Sequence, residues 1–160
     1  LVNTHPFVSN QYSFIHNGNI DSIDFYSGLS KNCDGQTDSE RLFKRFLEIK
    51  NRESLSSENA FITMLEEIKK LYPMYSAVNA ILHDGEHMFV SRIVNESSQY
   101  YSATELLEYF TLYVGRTKEG GVIISSEKIP DSDISYYLLP NDSISTVNLS
   151  RGEVATQLLF

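Results

Sequence analysis

Residues Tyr12 to Ile20 read YSFIHNGNI. A run of aromatic and aliphatic residues stops abruptly at His16-Asn17-Gly18. The run itself is strand material. Asn-Gly is a tight-turn pair, because both residues tolerate positive φ. The same pair has a second use. An asparagine amide and a glycine N–H, side by side at a strand end, can point at one developing oxyanion. Glycine also lets a substrate approach the backbone closely. Spacing alone leaves both uses open.

The flanking pattern sets the fold class. Phe7-Val8 and Tyr12 to His16 predict two strands around a polar turn at Ser9-Asn10-Gln11. Residues 21–37 are polar and loop-like, with Gly28, Asn32 and Gly35. Thr37 and Glu40 form a T-x-x-E capping pattern, and Leu42, Phe43, Phe46, Leu47 and Ile49 follow as a helical stripe. The polar run Asn51 to Glu58 ends that helix. Ser56 or Ser57 caps a second, with Phe61, Met64, Leu65, Ile68, Leu71 and Tyr72 on one face and Pro73 as its stop. After Pro73 the period changes. Ala77 to Leu82 and Met88 to Val94 flank His83-Asp84-Gly85-Glu86, a hairpin signal. Ser102 to Glu105 opens a short helical turn. Tyr109 to Val114 and Val122 to Ser125 predict strands around Lys118-Glu119-Gly120-Gly121. Ile144 to Leu149 and Val154 to Leu159 predict a last pair around Arg151-Gly152. Strands, two helices, then strands describe one α+β domain over residues 1–160.

Composition excludes several partner classes. The chain has 160 residues, enough for one domain with a real core. Lys plus Arg total 13 against 21 for Asp plus Glu, a formal net charge of -8. Nucleic acid and anionic membrane both need clustered positive charge, and no basic stripe occurs. No apolar run reaches the ~18 residues of a membrane helix. One cysteine, Cys33, cannot close an internal disulfide, so a reducing, cytoplasmic compartment is expected. The chain opens on Leu1 without a helix or strand signal and is read as the continuation of something longer.

Few residues are equipped for chemistry. Asp38 at a helix start has a bland role, favouring the exposed N–H groups there, and a sharper one, holding a cation such as a substrate ammonium. His5 precedes Pro6 and His16 ends a strand; each could pack or act. His83 and His87 are four apart across a hairpin, whereas a metal pair at that spacing wants a helix, so no metal is expected. Cys33 lies in a polar loop with nothing to activate it. P-loop, dinucleotide fingerprint, G-x-S-x-G and zinc cysteine pairs are missing from the sequence, and no cofactor is expected.

Three ordered segments resemble the class II glutamine amidotransferases, which are N-terminal-nucleophile hydrolases. They are Asn3-Thr4-His5-Pro6-Phe7, Phe14-Ile15-His16-Asn17-Gly18-Asn19-Ile20 and Thr37-Asp38-Ser39-Glu40. Residues 121–127, GVIISSE, are similar to a later strand of the stand-alone branch, that of the amidohydrolases of ergothioneine synthesis and glutathione turnover. The resemblance covers most of the chain and is strongest over residues 3–47. It implies a four-layer αββα sandwich, two stacked sheets with helices on the outer faces, incomplete at its N-terminus. It implies that Asn17 and Gly18 form the oxyanion hole and that Asp38, with His16 and Thr37, binds substrate. The family's nucleophile is a cysteine at the mature N-terminus, and an arginine just upstream of N-x-H-P clamps the substrate carboxylate. Neither is matched in this chain, and Cys33 lies on the wrong side of the H-N-G strand.

The expected function is therefore amide hydrolysis of glutamine or a γ-glutamyl compound by the complete protein, with this chain alone inactive. The alternative is a non-catalytic relative that binds a γ-glutamyl ligand or a partner protein. The expected partners are the small-molecule substrate and either a second copy of the chain or a polypeptide supplying the missing segment.

Overall fold

A computed structural model describes residues 3–21, 33–98 and 101–160. Gly28 and Asn32 of the expected loop lie outside the described residues. A six-stranded sheet, ordered β1-β2-β3-β4-β8-β9, forms from β1 (Phe7–Ser9), β2 (Tyr12–Asn17), β3 (Asn79–His83), β4 (His87–Arg92), β8 (Ser143–Asn148) and β9 (Val154–Leu158). A three-stranded sheet, ordered β6-β5-β7, forms from β5 (Tyr113–Thr117), β6 (Val122–Ser125) and β7 (Ile134–Leu138). Every strand pair is antiparallel. Helices α1 (Asp38–Glu53) and α2 (Ser57–Leu71) cover one face of the larger sheet, and the smaller sheet covers the other. A short α3 (Ala103–Tyr109) packs on Ala77 and Val94. The expected α+β sandwich is present, and among the described residues α1 and α2 form its helical outer layer.

The predicted helical stripes are the buried ones. Leu42, Phe43, Phe46 and Ile49 of α1 and Phe61, Met64, Leu65 and Ile68 of α2 are at most 2% exposed. Burying each such side chain contributes about 1.5–3 kcal/mol. Leu71, assigned to the same stripe, is exposed, because α2 ends there. The two helices are pinned by Arg45, which donates to Glu67 Oε2 from Nε at 3.0 Å and from Nη2 at 2.8 Å. The first helix outruns the expected break at Asn51 and stops at Ser54, which adopts left-handed φ of 53°.

Strand β2 lies along α1 by matching two periods. Side chains at every second strand residue meet a helix ridge spaced by three or four. Tyr12 sits edge-on to Phe46 with centroids 5.2 Å apart, Phe14 stacks on Phe43 at 5.7 Å, and His16 Nδ1 lies 3.1 Å from Ser39 Oγ. The strand thus descends α1 to its first turn and leaves Asn17-Gly18 at the helix N-terminus.

The other face of the larger sheet packs Val90 with Leu112, Val114 and Leu139, helped by Ile81. Two expectations need correction here. The strand expected over residues 109–114 starts later: Tyr109 closes α3, and pairing starts at Tyr113 and runs to Thr117. Strand β7 has no counterpart in the sequence reading. It is an edge strand in which Ile134 and Tyr136 are half-buried and Ser135, Tyr137 and Leu138 are exposed. Among the described residues no helix is long and apolar enough to cross a membrane.

Candidate functional site at the end of strand β2

Alternation along β2 sends His16 toward α1 and Asn17 to the opposite face. There Asn17 lines an open cleft of about 280 Å³ with Ile15, Asn79, Ile81, Thr111 and Leu112. Asn17 is exposed, and its cross-strand partner is Asn79. Among the described residues, neither the Asn17 carboxamide nor the Gly18 N–H has a hydrogen-bond partner.

Gly18 could be no other residue. Its φ is +149°, and a Cβ would lie 1.9 Å from the Ala77 carbonyl oxygen. The chain after it is held from distant positions. Asn19 N–H donates to Ser76 Oγ at 3.0 Å, and Ile20 N–H donates to Asp38 Oδ2 at 3.0 Å. Asp38 is 9% exposed, and its Oδ1 accepts from Ser39 N–H at 2.7 Å and faces Ser39 Oγ at 3.3 Å. Oδ2 keeps a lone pair beyond the Ile20 bond. Two residues of chain reach at most about 7 Å, so the 3.0 Å bond places the Gly18 N–H and the Asp38 carboxylate within roughly 10 Å. Asn17 lines the cleft, whereas Gly18 and Asp38 lie beside it and are not part of its lining. Two uncommitted donors and a carboxylate within that span have the chemistry for a ligand with an oxyanion at one end and a cation at the other.

The other predicted site residues have structural partners. His16 Nε2 lies 3.3 Å from the Ala77 carbonyl oxygen, which can only accept, so Nε2 carries the proton. Nδ1 of the neutral ring is then an acceptor facing Ser39 Oγ, whose single proton is shared between it and Asp38 Oδ1. Burial holds the His16 pKa below its ordinary value against the opposing pull of Asp38. Burial likewise lowers that of His5, again opposed by Asp38. His5 Nε2 stands 3.4 Å from the His16 backbone N–H, beyond the stretch of β2 that β1 pairs. Thr37 caps α1, accepting from Glu40 N–H at 3.2 Å. The expected capping box is only half formed. The Glu40 carboxylate reaches the N–H groups of Asp34 and Gly35 at 2.8 and 2.7 Å, bracing the loop that carries Cys33. A complete box occurs instead at Ser102 and Glu105.

Sequence reasoning missed Ser39, which links His16 to Asp38, and Asn79, a lone amide in an apolar strand run. That interruption of the run was the available signal. His83 and His87 sit at the far ends of β3 and β4 and take no part here.

The sequence pattern described as class-II glutamine amidotransferases matches residues 1–101. Several solved structures share the fold. A glutamine aminotransferase class-II domain protein from Silicibacter pomeroyi superposes with a TM-score of 0.67 at 19% identity, over 97% of this chain and 70% of that one. A predicted glutamine amidotransferase from Pseudomonas aeruginosa gives 0.68 at 20% identity, over 96% and 65%. The glutamine phosphoribosylpyrophosphate amidotransferase of B. subtilis gives 0.64 at 14% identity, over 96% of this chain and 31% of that one. The chain thus spans about two thirds of the first two and about a third of the last. No curated protein matches it.

Proposed function

The chain belongs to the class-II glutamine amidotransferases, and from that premise we propose that the complete protein hydrolyses the side-chain amide of L-glutamine or a γ-glutamyl compound. One observation carries this function: consecutive uncommitted donors, Asn17 and Gly18, at a strand end that Asp38 ties to the start of α1. The nucleophile would be a cysteine at the mature N-terminus, outside these residues, with its own α-amine as base. Its sulfur attacks the amide carbon, and the carbonyl oxygen becomes an oxyanion received by the Asn17 carboxamide and the Gly18 N–H. The C–N bond breaks, and ammonia from glutamine, or the amine of a γ-glutamyl compound, leaves with the proton held by the α-amine. Water then cleaves the thioester to release glutamate. The Asp38 carboxylate would hold the substrate α-ammonium through Oδ2. His16 and Thr37, proposed with Asp38 as substrate-binding residues, would act by fixing the turn and the first helical residues around the ligand. A cytoplasmic compartment keeps such a thiol reduced.

The test is glutamine-dependent ammonia and glutamate release by the complete protein. Asp38→Asn keeps one acceptor, enough for Ile20 N–H, turns its NH2 toward the Ser39 N–H and removes the charge. It should raise KM for glutamine at least about 10-fold, the scale of one charge-assisted hydrogen bond, with a modest fall in melting temperature and a protein that is still folded. A protein that binds γ-glutamyl compounds but releases neither ammonia from glutamine nor glutamate from those compounds would be a binding module instead.

A further inference from the structure

The geometry points to Asn79 as the positioning residue for the Asn17 carboxamide, an inference that rests on the oxyanion role proposed above. Asn79 is 6% exposed, in a strand otherwise built of apolar residues and a terminal histidine. Its Nδ2 donates to the Phe110 carbonyl oxygen at 3.1 Å. A carbonyl can only accept, so this bond fixes which way the amide points. Arg92 locks the acceptor in place: its Nε donates to the same Phe110 oxygen at 3.0 Å, Nη1 to the Leu139 oxygen at 2.8 Å and Nη2 to the Leu107 oxygen at 3.0 Å. The remaining atom, Asn79 Oδ1, is buried and among the described residues has no hydrogen-bond partner. A buried acceptor left without a donor is unfavourable, and each such atom calls for a partner.

The partner stands directly across the ladder. Asn17 and Asn79 are opposed in register, and both line the cleft. Opposed residues on one face have Cβ atoms about 4.5–5.5 Å apart, which two carboxamides bridge. Rotation of the exposed Asn17 side chain would bring one Nδ2–H onto Asn79 Oδ1. The second Nδ2–H would then be aimed into the cleft, beside the Gly18 N–H. A single donor orientation, chosen before substrate arrives, is what oxyanion stabilisation requires. Asn79 touches no reacting atom in this scheme and acts only through Asn17.

A double-mutant cycle in the complete protein tests this. Asn79→Leu keeps the branched shape with somewhat more volume and removes Oδ1 and Nδ2 together, leaving Arg92 to hold the Phe110 oxygen. It should lower kcat for glutamine about 10-fold, the order expected for loosening one positioned donor, with KM within about twofold. In an Asn17→Ala background the same change should lower kcat no further. An equal fall in both backgrounds, or no fall in the single variant, overturns the positioning role. An unaffected Asn17→Ala enzyme would instead overturn the oxyanion role itself, so the two failures are distinct. If Asn79→Leu does not fold, Asn79→Ser enters the same cycle with the same outcomes. If the protein releases no ammonia, the Asn17 side-chain amide resonances decide. The two Nδ2 protons should be widely split in the wild type and converge in the Asn79 variant, and unchanged shifts would overturn the proposal.

Discussion

Two strand ends in this molecule look alike and behave differently. Strand β2 runs into His16-Asn17-Gly18-Asn19, and β3 runs into His83-Asp84-Gly85-Glu86. The second is closed mainly by its own neighbours, with one long-range contact from the Ser57 side chain to Asp84. Asp84 Oδ1 accepts from Glu86 N–H at 3.1 Å and His87 N–H at 2.8 Å, and a Cβ on Gly85 would meet nothing nearer than Gln11 Cβ at 3.9 Å. The first is held from afar, by Ser76 and Asp38, and leaves its amide and its glycine N–H uncommitted. An Asx turn satisfies itself locally. A strand end whose donors are left unused among the described residues, while long-range contacts fix its path, has the geometry that the proposed oxyanion role needs.

The contrast is sharpest at the glycines. Both have positive φ, +149° and +101°. Gly18→Ala would also drive Cβ into the Ala77 carbonyl, so the turn must move. The expected loss is about 3 kcal/mol or more, since backbone strain and a core clash add. Gly85→Ala meets only Gln11 Cβ at an ordinary contact distance of 3.9 Å and should cost about 1 kcal/mol through its positive φ. Urea unfolding of the pair measures the difference, and equal losses would mean the two turns are equivalent.

The acids come next. Asp38→Ala strands the buried Ile20 N–H and should destabilise by about 1–3 kcal/mol. Asp84→Ala leaves two N–H groups that water can reach, and its loss should stay near 1 kcal/mol or below. The same unfolding curves report both.

The smallest effect is in pH. His16 is held neutral, its pKa lowered chiefly by burial. The unfolded chain therefore takes up the proton first as pH falls. The stabilisation is present in full above the ordinary value of 6.5 and is lost as pH drops through the lowered folded value. Melting temperature followed from pH 8 to pH 5 should decline over that range, and less steeply in His16→Asn. A profile with the same slope in both proteins would remove His16 as the cause.

Much of this was legible in the sequence where one period dominates. The stripes of α1 and α2 and the Asp-Gly hairpin were readable because local spacing and long-range packing agree. Strand β7 was not, since as an edge strand it buries little and shows weak alternation. The 109–114 assignment failed because α3, capped by Ser102 and Glu105, consumes Tyr109 before pairing begins. Glu40 shows a different limit. Its spacing from Thr37 fits a capping box, but the preceding loop offers two N–H groups that the carboxylate takes instead. At the site, motif letters marked Asn17, Gly18 and Asp38. The links through Ser39, the Ala77 carbonyl and Asn79 depend on register between elements up to 62 residues apart, from Asn17 to Asn79, which composition does not encode.

Stability alone does not separate a turn from a catalytic strand end. The direct measurement is kcat for glutamine hydrolysis by the complete protein carrying Asn17→Ala, beside the same protein carrying Asp84→Ala. Loss of one oxyanion donor should lower kcat by on the order of 10²–10³ in the first, about 3–4 kcal/mol, and leave the second within about twofold of wild type. Two variants with equal, near-wild-type turnover would contradict the account.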